Sequence, residues 1–458
     1  MGAATGGEPG TLSSSERRAL QALDVGALVE LVRHLVAIPS LDGAESPAQR
    51  AVATWMREAG LSVDAWDIDL AALAAHPDWC HEVERDEALG VVGWTGERRG
   101  GRDLLLNGHI DVVPVGDETV WTTSPFDPAV RGGRVYGRGA VDMKGGLACA
   151  LAAAAAIHAA GLRLRGRLSV ASVVGEEDGG TGTLGTLLRG HTAHGAVITE
   201  PTQLRLITAQ AGSLMFRLTV SGFSAHGCVR EEGVSAVEKF LPLFAALRRL
   251  EAERCGVDPA GGLAAGATAG ASAAIAAERA AVAGDPGSPL FAGYRLPWPI
   301  EVGTLRAGDW ASSVPDTLVA EGRYGVAVGE DPAAARRALE GAVARAASAD
   351  PWLAAHPPSV EWWGGRFDPS VTAADDPIVS AVSGAAAAVC GAAPVVQGVT
   401  YGADMRLLVN VGRIPTVMFG PGDVRVAHMP DEYVPIADLE AVARTLVVTA
   451  LRFCGVEE

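Results

Sequence analysis

His109 and Asp111 stand two positions apart in Gly108-His109-Ile110-Asp111, directly after the apolar run Leu104-Leu105-Leu106. In extended chain that spacing turns both side chains to one face. One can bind a cation while the other orients it from behind. Further on come Asp142 in the glycine-rich Gly137-Arg138-Gly139-Ala140-Val141-Asp142-Met143-Lys144-Gly145-Gly146, the pair Glu176-Glu177, Glu200 before Pro201, and His428. Most of these follow short apolar runs that read as strands. In open α/β sheets, sites form beyond the carboxyl ends of the strands. Several acids gathered at one rim repel one another. Bound cations remove that cost, and imidazole with carboxylate suits zinc, manganese or cobalt better than calcium or magnesium. Such a set is what a two-metal hydrolytic centre requires. Taken singly, each residue has a plainer reading: Asp142 as a helix cap, Glu176-Glu177 as a solvated pair, Glu200 and His428 as loop residues. Their joint occurrence beside strand ends favours the metal reading.

The elements that must position them alternate. Strands are expected over 104–107, 168–174, 196–199 and 416–419, and helices over 15–36, 48–59 and the Ala-rich 147–160. This is the pattern of an α/β layer with a mixed, mostly parallel sheet flanked by helices. The middle third reads differently. Strands at 214–220, 299–306, 317–326 and 359–363 and helices at 234–250 and 332–347 give the order β-α-β-β-α-β, a ferredoxin-like α+β insert. The candidate ligands fall outside it. A catalytic domain built from 1–209 and 366–458, interrupted by a lid and dimerisation domain at 210–365, is therefore expected. The Ala/Gly-rich 256–289 reads as a surface loop or low-complexity insertion, with a weak helix at 267–283 the other reading.

The chain has 458 residues, too many for one ordinary core. A net charge of −17 argues against a nucleic-acid partner. The six cysteines, Cys80, Cys149, Cys228, Cys255, Cys390 and Cys454, show no close pair, which fits reduced thiols and a cytoplasmic location. The first sixteen residues lack an apolar segment, so no signal peptide is expected. No apolar run reaches the roughly 18 residues of a membrane span.

The motifs, in order, resemble those of the M20 metallopeptidases and deacylases, the group of acetylornithine deacetylase, succinyl-diaminopimelate desuccinylase, aminoacylase and carboxypeptidase G. The matching segments are 31–40, 108–111, 137–146, 175–178, 199–201, 222–227, 402–406, 419–422 and 427–434. The resemblance implies that His109, Asp142 and Glu200 hold one metal. It implies that Asp142, Glu177 and His428 hold the other, with Asp142 shared. Two divalent ions are implied, zinc above all, with cobalt or manganese as alternatives. Asp111 is similar to the partner of the first histidine, and Glu176 to the general base. The peptide bond after Asp142 is expected to be cis. His226, in Gly222-Phe223-Ser224-Ala225-His226-Gly227, resembles the lid histidine that stabilises an oxyanion, in many members from a partner subunit. Arg406, Gly420 and Gly422 resemble substrate-side residues; an arginine suits a carboxylate. A homodimer through the insert is implied.

The chain departs from the family pattern at Ala403, where threonine is common, at Ser312-Ser313-Val314-Pro315 and at Glu321-Gly322-Arg323. These touch substrate identity rather than the metal set. The expectation is a metal-dependent amide hydrolase that removes an N-acyl group from an amino acid or similar amine. The alternatives are a dipeptidase or carboxypeptidase, and a deformylase of a non-amino-acid amine. A non-catalytic binding protein would have lost a ligand or the base, and none is lost. A serine hydrolase would need a Gly-x-Ser-x-Gly elbow, which is absent.

Overall fold

The structure is a computed structural model that describes residues 12–257 and 288–457. The expected loop and weak helix within 258–287 lie outside the described residues. By contacts the chain divides into two compact units, Met1–Thr208 with Val371–Gln397 and Ala403–Glu458, and Ala209–Ser370 with Gly398–Gly402. The return to the first unit thus comes at 371 rather than 366, because the last strand of the second unit runs on to Phe367. The short Gly398–Gly402 segment also belongs to the second unit, which the linear reading did not anticipate.

In the first unit the strands are β1 (Ser62–Asp67), β2 (Leu89–Thr95), β3 (Leu104–His109), β4 (Ala129–Arg131), β5 (Arg134–Tyr136), β6 (Leu168–Val173) and β7 (Gly195–Ile198). β8 (Leu206–Gln210) follows. In the second unit come β9 (Gly212–Ser221), β10 (Ile300–Ala307), β11 (Thr317–Val326) and β12 (Ser359–Phe367). β13 (Ser370–Val371), β14 (Val396–Val399), β15 (Thr416–Met418) and β16 (Tyr433–Pro435) complete the set.

The main sheet runs β1-β2-β6-β3-β7-β15-β8-β13, with β14 beside β8. β3 is parallel to β6 and β7, and β15 is parallel to β7. β1, β2 and β8 join antiparallel. All six residues of β3 are buried, as a strand covered on both faces demands. β16, β5 and β4 form a small separate sheet.

The expected helix at 15–36 is two helices, Ser14–Ala22 and Val25–Val36. Ser13 and Glu16 form a capping box on the first, and Asp24 caps the second through the amide of Ala27. The Asp24 cap falls inside one apolar periodicity and splits it. The Ala-rich helix Gly145–Ala159 is apolar all round and buried in the core of this unit, beside Ile436–Cys454. Its start carries Gly146, where a Cβ would lie 1.9 Å from the carbonyl oxygen of Thr199. Only glycine lets this helix approach the end of β7.

In the second unit the sheet order is β10-β11-β9-β12, all antiparallel. Helices Ala236–Cys255 and Pro332–Ser348 cover one face, meeting Leu214, Phe216, Leu218 and Val220 of β9. The intervening residues of β9 are half-exposed, so the strand alternates as a one-sided sheet requires. This is the ferredoxin-like arrangement of the β-α-β-β-α-β order.

Candidate metal centre

Four adjacent parallel strands deliver the functional side chains to one end of the main sheet. His109 is the last residue of β3. Glu176 and Glu177 lie in the turn after β6, and Glu200 two residues beyond β7. The loop after β15 carries His428, at φ +59°. Asp142 sits in the turn Ala140–Lys144 before the Ala-rich helix, and the Asp142–Met143 peptide is cis.

The side chains converge. Nε2 of His109 lies 3.1 Å from Oδ1 of Asp142 and 3.9 Å from Oε1 of Glu200. Nε2 of His428 lies 3.4 Å from Oδ2 of Asp142 and 3.0 Å from Oε1 of Glu177. Asp142 therefore presents one oxygen to each histidine. His109, Glu176 and Glu200, and likewise His109, Asp142 and Glu177, bring ligand atoms within 4.8 Å of one another. His109 and Glu200 are buried, while His428 is half-exposed.

Nδ1 of His109 is 2.9 Å from the backbone oxygen of Asp111. The Asp111 carboxylate is farther, with Oδ1 at 3.7 Å. Its Oδ2 instead accepts the amide of Glu177 at 3.0 Å. Asp111 thus orients the histidine through its carbonyl. Its carboxylate ties the end of β3 to the turn after β6.

The electrostatics of the cluster follow from its burial and its crowded charges. Burial, reinforced by neighbouring acids, raises the carboxyls of Glu176, Glu177 and Glu200 above their ordinary range. Burial alone would also raise Asp142, but its contacts with His109 and His428 pull it below the usual range. Burial opposes charge on His109, yet Asp111, Asp142 and Glu200 outweigh it and hold the imidazole high. Asp142 and Glu177 push His428 up to about 10. Four carboxylates and two imidazoles facing one space fit a pair of divalent cations in donor type, number and charge. His109, Asp142 and Glu200 would hold one, and Asp142, Glu177 and His428 the other.

The turn bearing the two glutamates is braced from behind. Arg85 donates to Asp178 at 2.6 Å and to Glu45 at 2.9 Å, and all three are buried. Asp404 accepts from Thr183 at 2.5 Å, and Thr183 accepts from Asn107 of β3 at 3.0 Å. Arg406 is buried, its Nη2 donating to the Gly179 carbonyl at 2.7 Å. Arg406 thus lies against the turn that carries Glu176 and Glu177. Gly420 lies where a Cβ would sit 2.3 Å from the Glu200 carbonyl oxygen. Gly422 has φ +77° and donates to Asp438 at 3.1 Å. His226 belongs to the second unit. It is exposed, its Nδ1 accepting the Cys228 amide at 3.1 Å.

Several buried charged residues here escaped sequence reading: Arg85, Asp178, Asp404, Arg138 and Glu432. Asp178, Asp404, Arg138 and Glu432 lie inside the motif segments 175–178, 402–406, 137–146 and 427–434, which was the available signal. Arg85 has no comparable mark.

Residues 105–452 match the family model described as peptidase family M20/M25/M40. The chain belongs to this family. With it comes the activity class: the protein is a hydrolase of amide C–N bonds. Among curated M20 relatives, it is 29% identical to N-formyl-4-amino-5-aminomethyl-2-methylpyrimidine deformylase of Halalkalibacterium halodurans, over 93% of this chain and 94% of the relative. A protein of the same description from Bacillus subtilis is 26% identical over 89% of each chain. Acetylornithine deacetylase of Myxococcus xanthus is 29% identical over 81% of this chain and 85% of the relative. Among solved structures, a Saccharomyces cerevisiae di-peptidase superposes with TM-score 0.73 at 14% identity, covering 98% of this chain and 100% of that one. A metallo-carboxypeptidase of Sulfolobus solfataricus gives TM-score 0.68 at 16% identity, covering 96% and 99%. These two share the M20 fold.

Proposed function

We propose that the protein is a two-metal deacylase that cleaves a small acyl group, formyl or acetyl, from the nitrogen of a small amine. The observation that carries this is the placement of Asp142 between His109 and His428, with Glu176 on the same rim. The near full-length likeness to proteins described as formyl-amide and acetyl-amide hydrolases supports the acyl size, with formyl first.

Bound divalent cations, zinc foremost, would lower the pKa of a water and polarise the acyl carbonyl. Glu176 is buried at 7% exposure and is the acid left over once the two ligand sets are drawn. It takes the proton of the attacking water and passes it to the departing nitrogen. His226 donates to the oxygen that gains charge. Arg406, Gly420 and Gly422 line the substrate side, Arg406 through the turn it supports. The protein works as a homodimer through its second unit, in the cytoplasm, on a small molecule and not on nucleic acid or a membrane.

The test is a panel of N-formyl aminomethylpyrimidine, N-formyl and N-acetyl amino acids, N-succinyl-diaminopimelate and dipeptides, assayed with zinc, cobalt and manganese. The short acyl amides should turn over fastest. Dipeptides hydrolysed faster than every acyl amide would replace this reading with a peptidase. Full turnover after exhaustive chelation would remove the metals from it.

A further inference from the structure

We propose that Glu432 is the positioning residue that sets Asp142 between the two histidines, with Arg138 as its anchor. The inference rests on the metal reading above and concerns what holds its shared carboxylate in place.

The backbone at Asp142 is not helical (φ −123°, ψ 95°), and no side chain caps the turn from its own start. Its amides therefore need an outside acceptor. Oε1 of Glu432 takes both, from Val141 at 3.0 Å and from Asp142 at 3.2 Å. Oε2 takes Nη1 of Arg138 at 2.6 Å. The Glu432 carbonyl accepts the amide of Gly137 at 2.9 Å, and the next residue, Tyr433, pairs with Tyr136. One residue thus grips the glycine-rich segment at Gly137 and again at Val141-Asp142.

Arg138 extends the grip. Its Nη2 donates to the carbonyl of Pro114, three residues past Asp111, at 3.3 Å. Its Nη1 also reaches the carbonyl of Met429, next to His428, at 3.5 Å. The pair therefore joins three metal-bearing segments: the end of β3, the turn of Asp142 and the loop of His428. Both side chains are buried, Arg138 at 2% and Glu432 at 0% exposure.

Stability alone is a poor reason for such a pair. Buried ion pairs are often no better than apolar residues of the same volume. An apolar pair could not accept two amides beside a ligand. What Glu432 supplies is a fixed backbone at Asp142, and a fixed direction for its two oxygens.

The test titrates metal-stripped protein with zinc against a chromophoric chelator and follows thermal unfolding in parallel. Wild type should bind two equivalents; if it does not, the metal reading falls, and this inference with it. Given two sites in wild type, Glu432→Met should weaken zinc binding about 10- to 100-fold, the usual effect of losing a group that orients a ligand. It should also unfold earlier, because Arg138 is left unpaired. Arg138→Met with Glu432→Met should recover only the part of the thermal midpoint lost to the unpaired Arg138, because the amides of Val141 and Asp142 still lack their acceptor, and should not recover the zinc affinity. Recovery of both together, or wild-type affinity in either variant, overturns the proposal. Should the methionine variants not fold, Glu432→Gln decides. It keeps an amide acceptor and loses the charge pairing that aims it. Weaker zinc binding supports the role, and unchanged affinity overturns it.

Discussion

Nε2 of His428 stands 3.0 Å from Oε1 of Glu177, across 251 positions of sequence. Within the proposed centre these two groups share a cation, and without it they form an ion pair. His428→Ala should remove one of the two zinc equivalents and leave the other, read by metal analysis after dialysis. Retention of both would take His428 out of the ligand set.

The same pair sets a pH dependence in metal-stripped protein. Contacts with Asp142 and Glu177 raise His428 from 6.5 to about 10. A raised folded-state value means that the contact's stabilisation is full below about 6.5 and fades as pH rises through about 10. The thermal midpoint of the stripped protein should therefore fall between pH 6.5 and 10, and more steeply than in His428→Ala. Metal needs the neutral imidazole, so the gain in midpoint on adding zinc should grow over the same window. An unchanged slope in His428→Ala would contradict this account.

Glu176 sits on the rim with its carboxyl pushed upward by burial and by Glu200. Glu176→Gln should keep both zinc equivalents and lose roughly 10²- to 10⁴-fold in kcat, the usual size of a proton-transfer contribution. A variant near the wild-type rate would assign the proton transfer elsewhere.

His226 is exposed and belongs to the second unit. If it donates to the developing oxyanion, His226→Ala should cost about 10²- to 10³-fold in kcat with metal content intact. An unaltered kcat would leave it as a surface residue of the second unit.

Gly420→Ala adds a methyl 2.3 Å from the Glu200 carbonyl oxygen. Overpacking against backbone costs about 1–3 kcal/mol, so the thermal midpoint should drop measurably. Zinc affinity should fall too, since the displaced backbone carries a ligand. An unchanged midpoint and affinity would show that this junction yields easily.

The candidate ligand types, their order and the layer that carries them were readable in the chain itself. Apolar runs over Leu104–Leu106 and Leu168–Val173 announce buried strands, and charged residues just past such runs announce a rim. These signals are local, written within a few residues by side-chain periodicity and turn chemistry. The helix break at Leu23-Asp24 was local as well, its Asp24 cap overridden by an apolar rhythm that runs on across it. Only the folded chain decided which oxygen of Asp142 faces which histidine, and that Asp111 steers His109 through its carbonyl. It alone showed that Glu432 takes the amides of Val141 and Asp142. Those pairings join segments up to about 290 residues apart. Their partners are set by how whole strands and turns pack together, which no stretch of neighbouring residues specifies.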